Sequence, residues 1–248
     1  MDGSRTHVYL LLGALLGVVG GCVREPVEQR CLEPGSLFIS ELRGDSGDDV
    51  YGEWIELYNA SDEAVPLGGL KLRSYSIQND QERLLLILDG GELELSPGGY
   101  AVIGSRDNGS LEFLDYAFHD ESEDNEDAPY EPGDGLVRSA SGDSVTSFFT
   151  SLERVFPDQD DPKIRRGVLE LSSCGVELDR VNYTLNQYGS LALDGVMTPG
   201  SDTYRDAAPT LAGPWCADTR GDMRGSPGEA NPTCAELAVP EGGETDGT

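Results

Sequence analysis

Two hydrophobic regimes divide this 248-residue chain. Apolar residues dominate positions 8–19, whereas beyond residue 36 they return only in short runs alternating with polar ones. A period of two is that of a strand with one face buried. It predicts strands over 37–42, 53–58, 64–67, 70–75, 83–88, 92–95, 100–104, 111–116, 145–150, 168–172, 176–183 and 190–193. Turn chemistry separates them: Asn59-Ala60-Ser61-Asp62, Gly68-Gly69, Asn79-Asp80 and Ser96-Pro97-Gly98-Gly99. Within 53–58, Ile55 and Leu57 share one face, and Trp54, Glu56 and Tyr58 the other. Short strands at this spacing imply an all-β sandwich or barrel. No helical period lies between them, which excludes a parallel α/β architecture.

The first run is too short to span a bilayer, which takes roughly 20 residues, and fits the core of an export signal. It closes in Val19-Gly20-Gly21-Cys22. This resembles a bacterial lipoprotein signal peptide with its lipobox, in which the cysteine becomes the lipidated N-terminus. The resemblance implies a signal over 1–21, acyl chains on Cys22, and a polar tether over 22–34. A second chain turns marginal attachment into stable anchoring. Val23, rather than Asp, follows the cysteine. That resembles lipoproteins sorted to the outer membrane, facing either the periplasm or the cell surface. The basic end of the run is weak, since Asp2 offsets Arg5; an ordinary secretory signal is the alternative.

Charge narrows the partners. The formal net charge is −29, which repels nucleic acid phosphates and anionic lipid alike, and no basic stripe offsets it. The membrane is therefore expected as a partner only through Cys22. Four further cysteines, Cys31, Cys174, Cys216 and Cys234, read in an exported chain as two disulfides with three connectivities. Zinc is the weaker reading, because no pair has CxxC spacing and only His119 could assist. His119 reads as an exposed loop residue. No Gly-x-Ser-x-Gly elbow, phosphate loop or His-Glu-x-x-His site accompanies it. Neither a catalytic residue nor a cofactor is expected. The acidic stretches 44–49 and 120–127 offer oxygen ligands to calcium but lack the spacing of an EF-hand loop. Solvated charge, with weak calcium binding at most, is the expectation. Three Asn-x-Ser/Thr matches, at Asn59, Asn108 and Asn182, are taken as chance in a bacterial chain.

Several segments together resemble the lamin-tail family. These are Gly52-Glu53-Trp54-Ile55-Glu56-Leu57-Tyr58-Asn59, Ala64-Val65-Pro66-Leu67-Gly68-Gly69-Leu70 and Leu95-Ser96-Pro97-Gly98-Gly99-Tyr100. Later come Leu169-Glu170-Leu171, Cys174-Gly175, Asp179-Arg180-Val181-Asn182-Tyr183, Trp215-Cys216 and Gly225-Ser226-Pro227-Gly228-Glu229-Ala230-Asn231. The resemblance covers 35–234 and implies an immunoglobulin-like antiparallel β-sandwich; this chain departs from the family pattern in expanded acidic loops between residues 116 and 168, at 120–127 and 158–161. Residues 235–248 are expected to be a disordered acidic tail. The resemblance also places Cys174 in a hairpin turn and Cys216 in the closing segment, while Cys31 and Cys234 bound the domain. The pairing it implies is Cys174–Cys216 with Cys31–Cys234; the rival is Cys216–Cys234 with Cys31–Cys174. A lipid-anchored envelope module that binds a protein or polysaccharide, or serves structurally, is the function expected. The alternative is an accessory or catalytic component of an exported hydrolase system, since bacterial lamin-tail domains often accompany hydrolases.

Overall fold

A computed structural model describes residues 30–44, 51–76, 82–87, 93–105, 113–120, 135–139, 148–149, 165–185, 189–195, 206–207 and 214–238. Cys22 with the signal and most of the tether, the acidic stretches 45–49, 121–127 and 158–161, Asn108, and the tail from residue 239 lie outside the described residues.

Alternation in the sequence becomes β1 (Leu37–Arg43), β2 (Trp54–Asn59), β3 (Val65–Pro66), β4 (Lys71–Tyr75), β5 (Glu82–Leu86), β6 (Glu94–Leu95) and β7 (Tyr100–Ser105). There follow β8 (Tyr116–Asp120), β9 (Gly135–Ser139), β10 (Arg165–Ser173), β11 (Val176–Leu185), β12 (Ser190–Leu193), β13 (Asp206–Ala207) and β14 (Trp215–Asp218), with one helical turn, α1 (Cys234–Leu237). Twelve strands hydrogen-bond in the order β13-β11-β10-β4-β5-β9-β8-β7-β2-β1-β12-β14, and β3 pairs with β6 separately. This continuous sheet folds into two layers joined through β8. Leu72, Leu85, Leu169 and Leu171 of one layer share a core with Ile39, Leu42, Ile55, Leu57, Ile103 and Leu191 of the other.

The predicted elements hold through β7 and from β10 to β12, and depart in between. The strand predicted over 111–116 begins only at Tyr116, because residues 113–115 form a turn. Phe148 and Phe149, expected in a strand, sit in a bend and are buried. Phe149 packs edge-on to Tyr183, with ring centroids 5.1 Å apart. His119 lies on β8 opposite Leu136 of β9, not in a loop. The β7–β8, β8–β9 and β11–β13 pairs are parallel in an otherwise antiparallel sheet. Ala235 to Leu237, expected in the tail, belong to α1, which a Thr233–Glu236 capping box starts.

Two turns show why the glycines matter. Cys174 and Gly175 both have positive φ (49° and 81°), the backbone of a tight two-residue hairpin whose twist matches its strands. Gly98 (φ 70°) follows Pro97, and Gly99 N–H closes the turn on Ser96 O at 2.9 Å, the type II geometry. That turn docks on Asn59, which is fully buried. Asn59 Nδ2 donates to Glu63 O and Leu95 O, and its Oδ1 accepts from Ser61 N at 2.9 Å. The Asn59 sequon is thus closed to glycosylation by burial, whereas Asn182 is exposed on β11.

The disulfides are Cys31–Cys174 and Cys216–Cys234, each with Cα atoms 5.5 Å apart. This corrects the pairing implied by the resemblance. Cys31 precedes β1 at the end of the sandwich where the β10–β11 hairpin turns, and Leu32 N–H bonds Ser173 Oγ beside it at 3.2 Å. Cys216 on β14 meets the first residue of α1, which packs on that strand. The bridges span 143 and 18 residues, which chain entropy converts to about 5 and about 3 kcal/mol. Non-reducing peptide mapping should recover Cys31 linked to Cys174 and Cys216 linked to Cys234; a Cys174–Cys216 peptide would contradict the structure.

Candidate functional site

Outward-facing residues on the two layers meet different fates. On β4, β5, β10 and β11 they form a half-exposed ladder. Arg180 reaches Glu170 (3.2 Å) and Glu177, and Arg73 reaches Glu170 (3.7 Å) and Glu82 (2.8 Å). The hydrogen bond from Arg73 holds the Glu82 carboxyl below its ordinary range. Such exposed pairs contribute little each. On β1 and β2 the outward residues are instead buried by a strap of chain, residues 219–231, running between the two cysteines of the Cys216–Cys234 loop.

The origin of this second face is a β-bulge. Pairing between β1 and β2 steps from Ile39↔Leu57 to Glu41↔Glu56, so Ser40 is an extra residue. Strict alternation from Leu37 and Ile39 would send Glu41 into the core and Leu42 out. The bulge reverses this: Leu42 joins the core, and Glu41 lies directly opposite Glu56 on the outer face. Both glutamates are fully buried. The main chain at the bulge is satisfied by side chains, since Ile39 N–H donates to Asp179 Oδ2 (2.9 Å) and Ser40 O accepts from Asn231 Nδ2 (2.9 Å).

Donors from the strap and neighbouring strands converge on the two carboxyls. Glu41 accepts from Ser190 Oγ of β12 and from Ser226 N and Oγ, the latter two at 3.3 Å. Glu56 accepts from Ser40 Oγ and from Gly228 N, both at 2.7 Å. Ser226 Oγ also bonds Asn231 Oδ1 at 3.1 Å. Trp54 is fully buried beside them and meets Phe113 edge-on with ring centroids 6.4 Å apart. Gly225 is the point of closest approach. A Cβ there would stand 2.9 Å from Trp54 Cζ2, 3.1 Å from Glu41 Oε1 and 3.1 Å from Ser190 Oγ.

Burial dominates the electrostatics of the pair. It pushes Glu41 up to about 7 against the lowering bonds from Ser190 and Ser226, with Asp218 adding to the rise. Glu56 rises to about 9, through burial first and the neighbouring Glu41 second. The Ser40 hydroxyl and the Gly228 amide, which donate to the two Glu56 oxygens, oppose this rise without cancelling it. The pair therefore holds a proton more tightly than an isolated carboxyl would.

None of these residues figured among the expected sites. Glu41, Ser40, Ser190 and the roles of Ser226 and Asn231 escaped the sequence reading, although Glu56 and the 225–231 segment lie inside the quoted motifs. The signal was a glutamate in each of two apolar strands, Phe38-Ile39-Ser40-Glu41-Leu42 and Trp54-Ile55-Glu56-Leu57. Of the expected sites, Cys22 lies outside the described residues, and Cys31, Cys174, Cys216 and Cys234 are bridged. Among the described residues, no group of three or more His, Cys, Asp or Glu side chains is placed to hold a metal ion.

Two tests follow from the clasp. Gly225→Ala should lower unfolding free energy by about 1–3 kcal/mol through overpacking against a buried indole, read by urea denaturation. Raised carboxyl values imply a contribution to stability that is complete below the unfolded value of 4.5 and is lost as pH rises through about 7 and about 9. Glu56→Gln, which preserves the neutral hydrogen bonds, should flatten that decline and exceed the wild type at pH 9 by about 1 kcal/mol or more. Parallel pH profiles for the two proteins would contradict it.

Against known proteins, residues 33–149 match the family model described as Lamin Tail Domain. No curated protein matches the chain. Strands beyond the matched segment complete the same sheet, since β10 pairs with β4 and β12 with β1. The family match over residues 33–149 and the strand-built, two-layer architecture together support a lamin tail domain of immunoglobulin-like, all-β fold.

Proposed function

We propose that this protein is a lipid-anchored module of the bacterial cell envelope that binds a protein or polysaccharide partner or serves structurally. A lamin tail domain is a non-catalytic, structural or binding fold, and the proposal adds anchorage and place. Its main support is the pair of disulfides, bonds that form and persist in oxidising compartments outside the cytosol. They agree with the apolar run at 8–19 and with Cys22 as the point of lipidation. Val23 at the next position favours the outer membrane. The buried carboxyls also favour a structural reading: Glu41 and Glu56 are enclosed by serine hydroxyls and main-chain amides, with no face left for a substrate.

Mass spectrometry of the N-terminal peptide from protein expressed in a Gram-negative host should show Cys22 as the first residue, carrying acyl chains. Cys22→Ser should move the protein from the membrane fraction to the soluble one. An unmodified Cys22, or a wild-type protein that stays soluble, would overturn the anchoring part of the proposal.

A further inference from the structure

The strap over Glu41 and Glu56 combines three features that a merely buried polar contact would not need. First, two carboxyls are set directly opposite one another on adjacent strands, where like charges repel most strongly. Second, half of the polar cover comes from one segment: Ser226 and Gly228 on the strap, against Ser40 and Ser190 on the sheet. Third, that segment lies wholly within the 18-residue Cys216–Cys234 loop. If it lifts, it remains tied at both ends and returns to the same place.

We propose that the strap is a pH-operated latch: it is closed while the Glu41–Glu56 pair holds a proton and swings off the sheet when the pair becomes doubly charged. Two anions on facing positions of adjacent strands are costly to keep in a dry site, so water must reach them. The strap is the weakest barrier to that water. It is held by turns, a main-chain bond from Ser190 N–H to Arg224 O and a few bonds to side chains, whereas β1 and β2 are locked in a continuous ladder flanked by β12 and β7.

The acidic groups near the pair on the surrounding elements act in the same direction. Asp218 of β14, buried and bonded by Arg220, raises Glu41. Asp115, ahead of β8, raises Glu56 while accepting from Val102 N. The Tyr100 phenol of β7 is pushed up by burial first and then by Glu56. Arg43, on β1, directs its guanidinium to Gly52 O and over the Tyr51 ring, 5.8 Å from the centroid. On the strap, Arg224 gives its carbonyl to Ser190 N–H, and Asp222 and Glu229 lie at the surface. Loss of the proton therefore leaves acid facing acid, and opening is the relief.

Hydrogen–deuterium exchange of the full chain between pH 6 and pH 9, corrected for intrinsic chemical rates, tests the latch. Protection of the peptide carrying the Ser226 and Gly228 amides should fall on the order of tenfold or more across that range. Peptides from β1 and β2 should stay protected throughout. In Glu56→Gln the strap should show no such loss, and Glu41→Gln supplies the same comparison should the first variant fold poorly. Strap protection independent of pH in the wild type would overturn the latch. So would simultaneous loss from strap and strands, or a wild-type response persisting in a folded glutamine variant.

Discussion

One extra residue in the first strand, Ser40, sets the terms for the rest of the molecule. A sheet face is chosen by parity, and a single insertion exchanges inside for outside from that point on. Leu37 and Ile39 before the bulge and Leu42 after it all reach the core, which unbroken alternation would not permit. The cost is a locally unpaired main chain and a glutamate placed opposite another glutamate. Asp179, Asn231, Ser190 and Ser226 are the response, drawn from β11, β12 and the strap.

That response explains why the closing segment folds back over a face a sandwich would normally leave in water. Elsewhere the outward face is solvated by an Arg–Glu ladder that needs no cover. Over β1 and β2, carboxyls without such partners must be enclosed and supplied with donors, or hydrated. The strap encloses them, and the Cys216–Cys234 bridge fixes both its ends. At the sandwich's other margin, Cys31–Cys174 ties the entry to β1 against the β10–β11 hairpin. At the margins of the sheet, α1 packs on β14, and β13 pairs with Asn182 and Tyr183 of β11.

The same arrangement gives a binding or structural module an unusual property. Its least secure contact is governed by a proton rather than by apolar area. The core rests on Leu, Ile and Val side chains whose burial is indifferent to pH, while the strap depends on a carboxyl remaining neutral. Local opening at the strap and global unfolding of the sandwich therefore respond to different variables. A protein held outside the cytosol would meet the pH of its surroundings at that point.

Much of the architecture follows from the sequence alone. Period-two patterning places β1 to β7 and β10 to β12, and Gly98, Asn59 and Cys174-Gly175 mark their turns, because each depends on local φ/ψ and side-chain reach. The family resemblance rests on those same local features. The segment containing β8 and β9 resists the same reading, since short parallel strands lack hairpin turns to announce them. The cysteine pairing was also decided in three dimensions. Cys31 and Cys174 are 143 residues apart in sequence and meet only because β1 lies against β11. The glutamate clasp is the clearest case. The sequence shows Glu41 and Glu56 in apolar strands, but their juxtaposition depends on a one-residue bulge, and their cover comes from a segment more than 170 residues downstream. Local alternation determines which residues can form a strand; only the assembled sheet decides which face each one meets and what lies across from it.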